Sequence, residues 1–276
     1  MELDIILISY NQEAFIARAV DSILAQCPAD DVKLKLIVAD DVSTDATLTI
    51  IKEHLAGSCV PVEFLPKEKN IGYIRNYQQA FAACMGDYVA ILEGDDYWLE
   101  GHLQQHFDFL TAHREYSMSM NRYFRLMPGG EFKESGWGCA GEVRTVGIDE
   151  QLGSGNQLGN LSACMFRGSL VRAIPDPFYD LNMADWELGA YMAQYGPIAI
   201  LRQQTSVYRI SDKGQWAGLT DGQKKSALVA DLRAMDSFFG GKYHAFCRKY
   251  EFKIKHPKLQ RIKHNCGVAL RRIFGK

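Results

Sequence analysis

Four times in roughly the first hundred residues, a short, mostly apolar run gives way to a segment patterned as a helix. The runs are "LDIILIS" (3–9), "LKLIVAD" (34–40), "VEFLP" (62–66) and "DYVAILE" (87–93). Each has the length of a strand, and a strand that is apolar on both faces has to be covered on both. After the first run, Phe15, Ile16, Ala19, Val20, Ile23 and Leu24 recur at helical spacing. After the second, Ser43, Thr44 and Asp45 supply helix-starting chemistry. After the third, Tyr77, Ala80, Phe81 and Cys84 share one helical side. This alternation predicts an α/β fold with a mostly parallel central sheet and helices on both faces. Sheets of that kind bind ligands beyond the carboxyl ends of their strands. Here those ends carry "SYNQE", "DDVSTD" and "EGDDYW".

The last cluster places Glu93, Asp95 and Asp96 at the end of a buried strand. Adjacent carboxylates repel one another and are costly to desolvate. A divalent cation relieves both costs, and oxygen-only ligands suit Mg²⁺ or Mn²⁺ held together with substrate phosphates. The competing reading is an acidic turn facing water with a helix-capping Asp. Asp40 and Asp41, at another strand end, favour the cation. Several nucleotide-binding and hydrolytic classes are excluded by motif. The first strand is not followed by G-x-G-x-x-G, and neither a P-loop nor a G-x-S-x-G elbow occurs.

The chain has 276 residues, 47% of them hydrophobic, enough for a substantial core without disulfides. Its seven cysteines form no C-x-x-C pair and read as reduced, mostly buried thiols. No secretory leader and no apolar stretch of about 20 residues is visible, which reads as a cytoplasmic protein or one seated on a membrane surface. From 115 to 215 the pattern loosens: "YSMSMNRYFRLM" and "IAILRQQTSVYRI" read as strands and "MADWELGAYMAQYG" as a helix. From about 219 onward the pattern is helical, with a break at "HPK". His102 and His106 stand four apart on a helix and read as a solvated face rather than a metal pair.

"ILISYNQEAFIARAVDSILAQ", "LIVADDVSTDAT" and "NIGYIRNYQQAFAACMGDYVAILEGDDYW" together resemble the family 2 glycosyltransferases of the GT-A fold. The resemblance is dense from about 3 to 110 and returns at "MADWELGAYMAQYGPIAIL" and "VYRISDKGQW". It implies an inverting transfer of sugar from a nucleotide sugar, a UDP-sugar foremost, to a glycan or lipid-linked acceptor of a surface polysaccharide. It also implies a GT-A domain over 1–215, with a nucleotide-binding half (1–114) and an acceptor-binding half (115–215), followed by a basic helical extension (216–276).

The family pattern assigns Asp40 to the nucleotide base, with Ser9 and Tyr10 helping through their backbone and Arg75 beside the base. Asn11 and Glu13 border the nucleotide pocket. The D-x-D motif falls on Glu93-Gly94-Asp95, so that Asp95 binds the metal with Asp96 nearby. Asp185 falls on the catalytic base, flanked by Trp186 and Glu187, and Trp216 is a candidate to close over substrate. Each role has a plainer counterpart: a helix cap for Asp185, a surface ion pair for Arg75, and the start of the second helix for Asp41 and Asp45. Two departures stand out. Glu93 replaces the first Asp of the motif, and "YRISDKG" has no histidine after Tyr208-Arg209, leaving Ser211, Asp212 or water as the substitute.

Residues 241–276 hold eleven Lys and Arg against the single acid Glu251, a balance of +10 in a chain whose net charge is −2. Such a tail suits an anionic membrane surface, or else forms a helical pair packed on the body. Nucleic acid is disfavoured, because no recognised module accompanies the charge. Two rivals to a transferase remain. A sugar nucleotidyltransferase calls for a Gly-rich basic loop after the first strand, where this chain has "SYNQEAF". The other is a non-catalytic relative that has lost its acids, but Asp95 and Asp185 are both present.

Overall fold

The computed structural model describes residues 1–26, 32–135, 141–182, 184–211 and 218–257. Trp216 and Asp212 lie outside the described residues, as does the tail beyond 257. In chain order the elements are β1 (Glu2–Ser9), α1 (Ile16–Leu24), β2 (Lys33–Asp40), α2 (Thr47–Leu55), β3 (Val62–Phe64), α3 (Tyr73–Ala83), β4 (Tyr88–Glu93), β5 (Tyr97–Trp98), α4 (His102–Ala112) and β6 (Met118–Leu126). There follow β7 (Phe132–Glu134), β8 (Val143–Val146), α5 (Ile148–Gly153), β9 (Cys164–Arg167), α6 (Gly168–Arg172), α7 (Asp185–Ala193), β10 (Ile198–Arg209), α8 (Asp221–Phe238) and α9 (His244–Lys255).

One mixed sheet runs β3-β2-β1-β4-β9-β6-β10-β5, with β7 beside β6 and β8 beside β10. The first four strands are parallel, and β6 and β10 are parallel to each other. β9 is antiparallel to both of its neighbours and joins the two parallel blocks. Strands from before and after residue 114 share this one sheet.

The sidedness of β1 follows from the two-residue period of a strand. Leu3, Ile5 and Leu7 pack with Ile16, Val20 and Ile23 of α1 and Ile51 of α2. Ile6 and Ile8 face the other way, onto Tyr77 and Phe81 of α3. Burial of both faces is why this strand reads as an unbroken apolar run.

The register sets where chemistry can occur. Ser9 lies opposite Asp40, and Ile8 opposite Glu93, so three strand ends finish side by side. Gly94 continues the β4 end, its N–H donating to the Ile8 carbonyl at 2.8 Å. A Cβ there would come within 2.6 Å of Ile16 Cδ1, so a larger residue would require the Ile16 and Gln12 side chains to move.

His102 and His106 are not on a solvated face. Both are fully buried beneath β6 and β10, His102 stacked on Trp98 at 4.5 Å and His106 Nδ1 2.8 Å from Ser119 Oγ. A four-residue spacing puts two side chains on one helical face but does not say whether that face meets water or a sheet. Burial holds both imidazoles neutral, pushing His106 down to about 3 and His102 well below its ordinary value.

A histidine whose folded pKa is depressed stabilises the fold above its unfolded pKa and loses that contribution as pH falls toward the folded value. Each buried histidine is therefore expected to cost on the order of 1.4 kcal/mol per pH unit below about pH 6. The acids at the β4 end shift the other way, so the comparison of variant with wild type isolates the histidine. His106→Gln should flatten the pH dependence of the urea midpoint between about pH 6 and 4.5 by roughly that slope. An unchanged slope contradicts the burial.

Candidate active site

The carboxyl ends of β1, β2 and β4 and the N-terminus of α7 open on one cleft of about 1210 Å³. Its volume is enough to enclose a ligand larger than a simple sugar.

At the β1–β2 end, the structure separates two acids that are adjacent in sequence. Asp40 is turned inward. Its carboxylate accepts from the Ser9 hydroxyl at 2.9 Å, the Ser43 N–H at 2.9 Å and the Ser43 hydroxyl, and it does not line the cleft. Asp41 does line it, accepting the N–H groups of Ile71 and Gly72, each at 2.9 Å. Asp41 therefore does not begin α2, whereas Asp45 does, accepting the Thr47 N–H at 3.0 Å. The rule that side chains alternate along a strand cannot place Asp41, because β2 ends at Asp40.

Tyr10 is half exposed on the cleft wall, and Ser9 lines it as well. Asn11, with φ of 51°, accepts the Thr44 N–H at 2.8 Å, and Glu13 accepts the Ala46 N–H at 2.9 Å. These two residues brace the β1–α1 loop against the β2–α2 loop and are not among the lining residues. Arg75 is exposed, bonded to Gln78 at 2.7 Å and paired with Asp180 at 3.2 Å, and it too lies outside the lining.

At the β4 end the three acids take different positions. Glu93 lines the cleft and accepts from the Tyr77 hydroxyl at 3.1 Å. Desolvation first, then the charges of Asp96 and Asp95, raise its pKa well above the ordinary carboxylate range. Asp96 is buried, with Oδ1 accepting the Arg209 N–H at 2.8 Å and Oδ2 the Asn160 amide at 2.9 Å. Burial and the neighbouring Asp95 push it up to about 7. Asp95 lines the cleft, and its carboxylate accepts from no other described residue; its backbone carbonyl holds the Arg209 Nε at 3.0 Å. The Arg209 guanidinium also lies 4.4 Å from the centre of the Phe15 ring.

Across the cleft, Asp185 opens α7. One of its oxygens accepts the Asn156 amide at 2.7 Å and the other the Trp186 N–H at 3.1 Å. Burial raises its pKa. Glu187 lines the same end, caps α7 by accepting the Ala184 N–H at 3.1 Å, and is pushed up to about 8, chiefly by burial. Trp186 is buried, its ring N–H donating to the Gln151 carbonyl at 2.8 Å. Leu228 and Asp231 of α8 complete this wall. The amides Asn156 and Asn160 were missed from sequence. Both lie in the polar, Gly-rich stretch "GSGNQLGNLS", where neither spacing nor hydrophobic period marks any residue.

Among the described residues no group of three or more His, Cys, Asp or Glu is arranged as a metal cage. The donor chemistry nevertheless fits a sparsely held cation. Asp95 offers a carboxylate not bonded to another described residue, Glu93 is held by one hydroxyl, and Mg²⁺ and Mn²⁺ sites of this type use one or two carboxylates plus phosphate and water. Ser211, after Tyr208-Arg209, lines the cleft.

Two solved transferases share this architecture. A mannosyltransferase from Pyrobaculum calidifontis, solved in complex with GDP-Man and Mn²⁺, aligns with a TM-score of 0.60 over 97% of this chain and 80% of its own at 14% identity. S. aureus TarS, in complex with UDP-GlcNAc, aligns with a TM-score of 0.59 over 86% of this chain and 73% of its own at 18% identity. The fold is that of the GT-A transferases. In sequence, residues 4–172 match Glycosyl transferase family 2, and the chain belongs to that family. An uncharacterized protein of Mycobacterium tuberculosis is 32% identical over 246 residues, 84% of this chain and 67% of that one.

The two aspartates of the β4 turn should separate cleanly on mutation. Asp96→Ala leaves the Arg209 N–H and the Asn160 amide without their acceptor and is expected to lower stability by about 2–4 kcal/mol. Asp95→Ala removes no such bond and should stay within about 1 kcal/mol of wild type in urea denaturation. Equal losses in both would contradict the assignment.

Proposed function

We propose that the cleft transfers a glycosyl group from a nucleoside-diphosphate sugar, a UDP-sugar first among the candidates, to a hydroxyl of a growing surface glycan, with inversion at the anomeric carbon. The observation that carries this reading is the placement of Asp95 and Asp185. Asp95 follows β4 and Asp185 opens α7, and both line one cleft. The donors bound by TarS and by the mannosyltransferase, UDP-GlcNAc and GDP-Man, support a nucleotide sugar without choosing its base.

In this reading Asp185 removes the acceptor hydroxyl proton as that oxygen attacks. Asn156 and the Trp186 N–H fix the carboxylate, and burial raises its proton affinity toward that of a useful base. Asp95, with Glu93 beside it, would hold Mg²⁺ or Mn²⁺, which supplies positive charge to the departing diphosphate. Arg209 is the single Lys or Arg among the described lining residues and stands beside Asp95, so it is the protein cation available to the same leaving group. A base on one face and a leaving group stabilised on the other require inversion.

The test measures nucleoside diphosphate release from a panel of UDP- and GDP-sugars with and without Mn²⁺. Release should depend on the metal. Asp185→Asn should lower turnover by about 10²–10⁴-fold with donor binding retained. Asp95→Ala should abolish turnover and also weaken nucleotide binding. Turnover by either variant at the wild-type rate contradicts the proposal. Nucleoside triphosphate consumption with sugar phosphate would indicate a nucleotidyltransferase instead.

A further inference from the structure

The charge of this chain is segregated: residues 241–276 carry +10 and the remainder −12, since the whole is −2. The structure gives part of that segregation a shape. One side of α9 packs on the body. Phe246 lies over Gly153, Tyr250 meets Trp186 edge-on at 5.8 Å, and Lys253 donates to the Gly153 carbonyl at 2.7 Å. Glu251, the one acid of the segment, is buried and shared between Arg233 and Lys255, each at 2.5 Å. The opposite side presents Arg248, Lys249, Phe252, Lys255 and His256, all exposed. Phe252 is 54% exposed, its ring tilted against that of His256 at 4.6 Å. Neither Arg248 nor Lys249 has an acidic partner among the described residues.

We propose that this face of α9 docks the protein on an anionic lipid bilayer. An exposed aromatic flanked by cations on one helical stripe matches a partner that offers a plane of negative charge above an apolar interior. The acidic remainder of the molecule is repelled by the same plane, so the attraction has one orientation. That orientation has a consequence for the cleft. The buried side of α9 touches Trp186, the neighbour of Asp185, so docking brings the acceptor end of the cleft next to the membrane. This consequence rests on the transferase reading; the docking itself does not. No described helix is long and apolar enough to cross a membrane, which leaves the interaction peripheral.

The test is sedimentation of the full chain with phosphatidylcholine vesicles, with and without about one third phosphatidylglycerol, at low and high salt. Wild type should bind the anionic vesicles and be released by salt. Arg248→Glu combined with Lys249→Glu should weaken partitioning by about tenfold or more, and Phe252→Ser by a few fold. The same charge change at the exposed Lys33 and Lys52, far from α9 in sequence, should leave partitioning within about twofold, which separates a local face from net charge. Circular dichroism of each variant confirms folding. Nucleotide-sugar hydrolysis without vesicles should be unchanged by the α9 variants, so loss of docking and failure of the transferase reading are distinguishable. Equal binding to neutral vesicles, wild-type binding by the double variant, or preferential binding of a single-stranded oligonucleotide would each overturn the proposal.

Discussion

The two halves of the cleft meet at a buried carboxylate. Asp96 splits its oxygens between the Arg209 N–H, at the end of β10, and the Asn160 amide, in the loop that leads into β9. Asn160 in turn receives the Ser162 N–H, and the Ser162 hydroxyl receives the N–H of Glu93. A closed ring of polar bonds therefore ties the end of β4 to the end of β10 and the loop before β9. In a dry interior such bonds are strong when all are made and costly when one is missing. The ring holds the β4 turn in place and leaves Asp95 facing the cleft.

Division of labour among like residues follows from that anchoring. Three acids within four positions are too close for all to remain charged and buried, and their raised proton affinities measure the cost. The structure resolves the conflict by giving Asp96 two donors and Glu93 one hydroxyl, while Asp95 accepts from no other described residue. Asp40 and Asp41 repeat the arrangement at the next strand end, one locked to serines and the other open to the cleft. In both pairs one acid is turned into the frame and its neighbour lines the cleft, Asp95 with its carboxylate unbonded among the described residues and Asp41 held by the Ile71 and Gly72 N–H groups. The acidic lining, with Arg209 as its lone described cation, suits a site completed by a divalent ion and a diphosphate together.

Much of this was legible beforehand. Apolar runs alternating with helical spacing announced the parallel block, because a strand covered on both faces cannot hide its composition. The strand-end acids announced the cleft, because the carboxyl edge of a parallel sheet is where loops converge. The differences have a common origin. Asp41 rather than Asp40 lines the cleft, Arg75 pairs with Asp180 outside the lining, and His102 and His106 are buried rather than solvated. Each concerns the direction of a side chain at an element's end or on a helix whose partner lies far along the chain. Thr205 beside His102 and Asp180 beside Arg75 are contacts of that kind.

The sequence by itself determined the order of the first strands and helices, the burial of β1 on both faces, the apolar side of α3, and the presence of carboxylates at β4 and α7. All of these rest on local period and local chemistry, which a chain carries along its length. Only the tertiary structure decided that Asp95 and Asp185 share a space and that one side of α9 is left outside. Of the two amides, Asn156 holds Asp185 and Asn160 holds Asp96. Those outcomes depend on register between distant strands and on which polar groups find partners. Neither is encoded in any window short enough to read as a pattern.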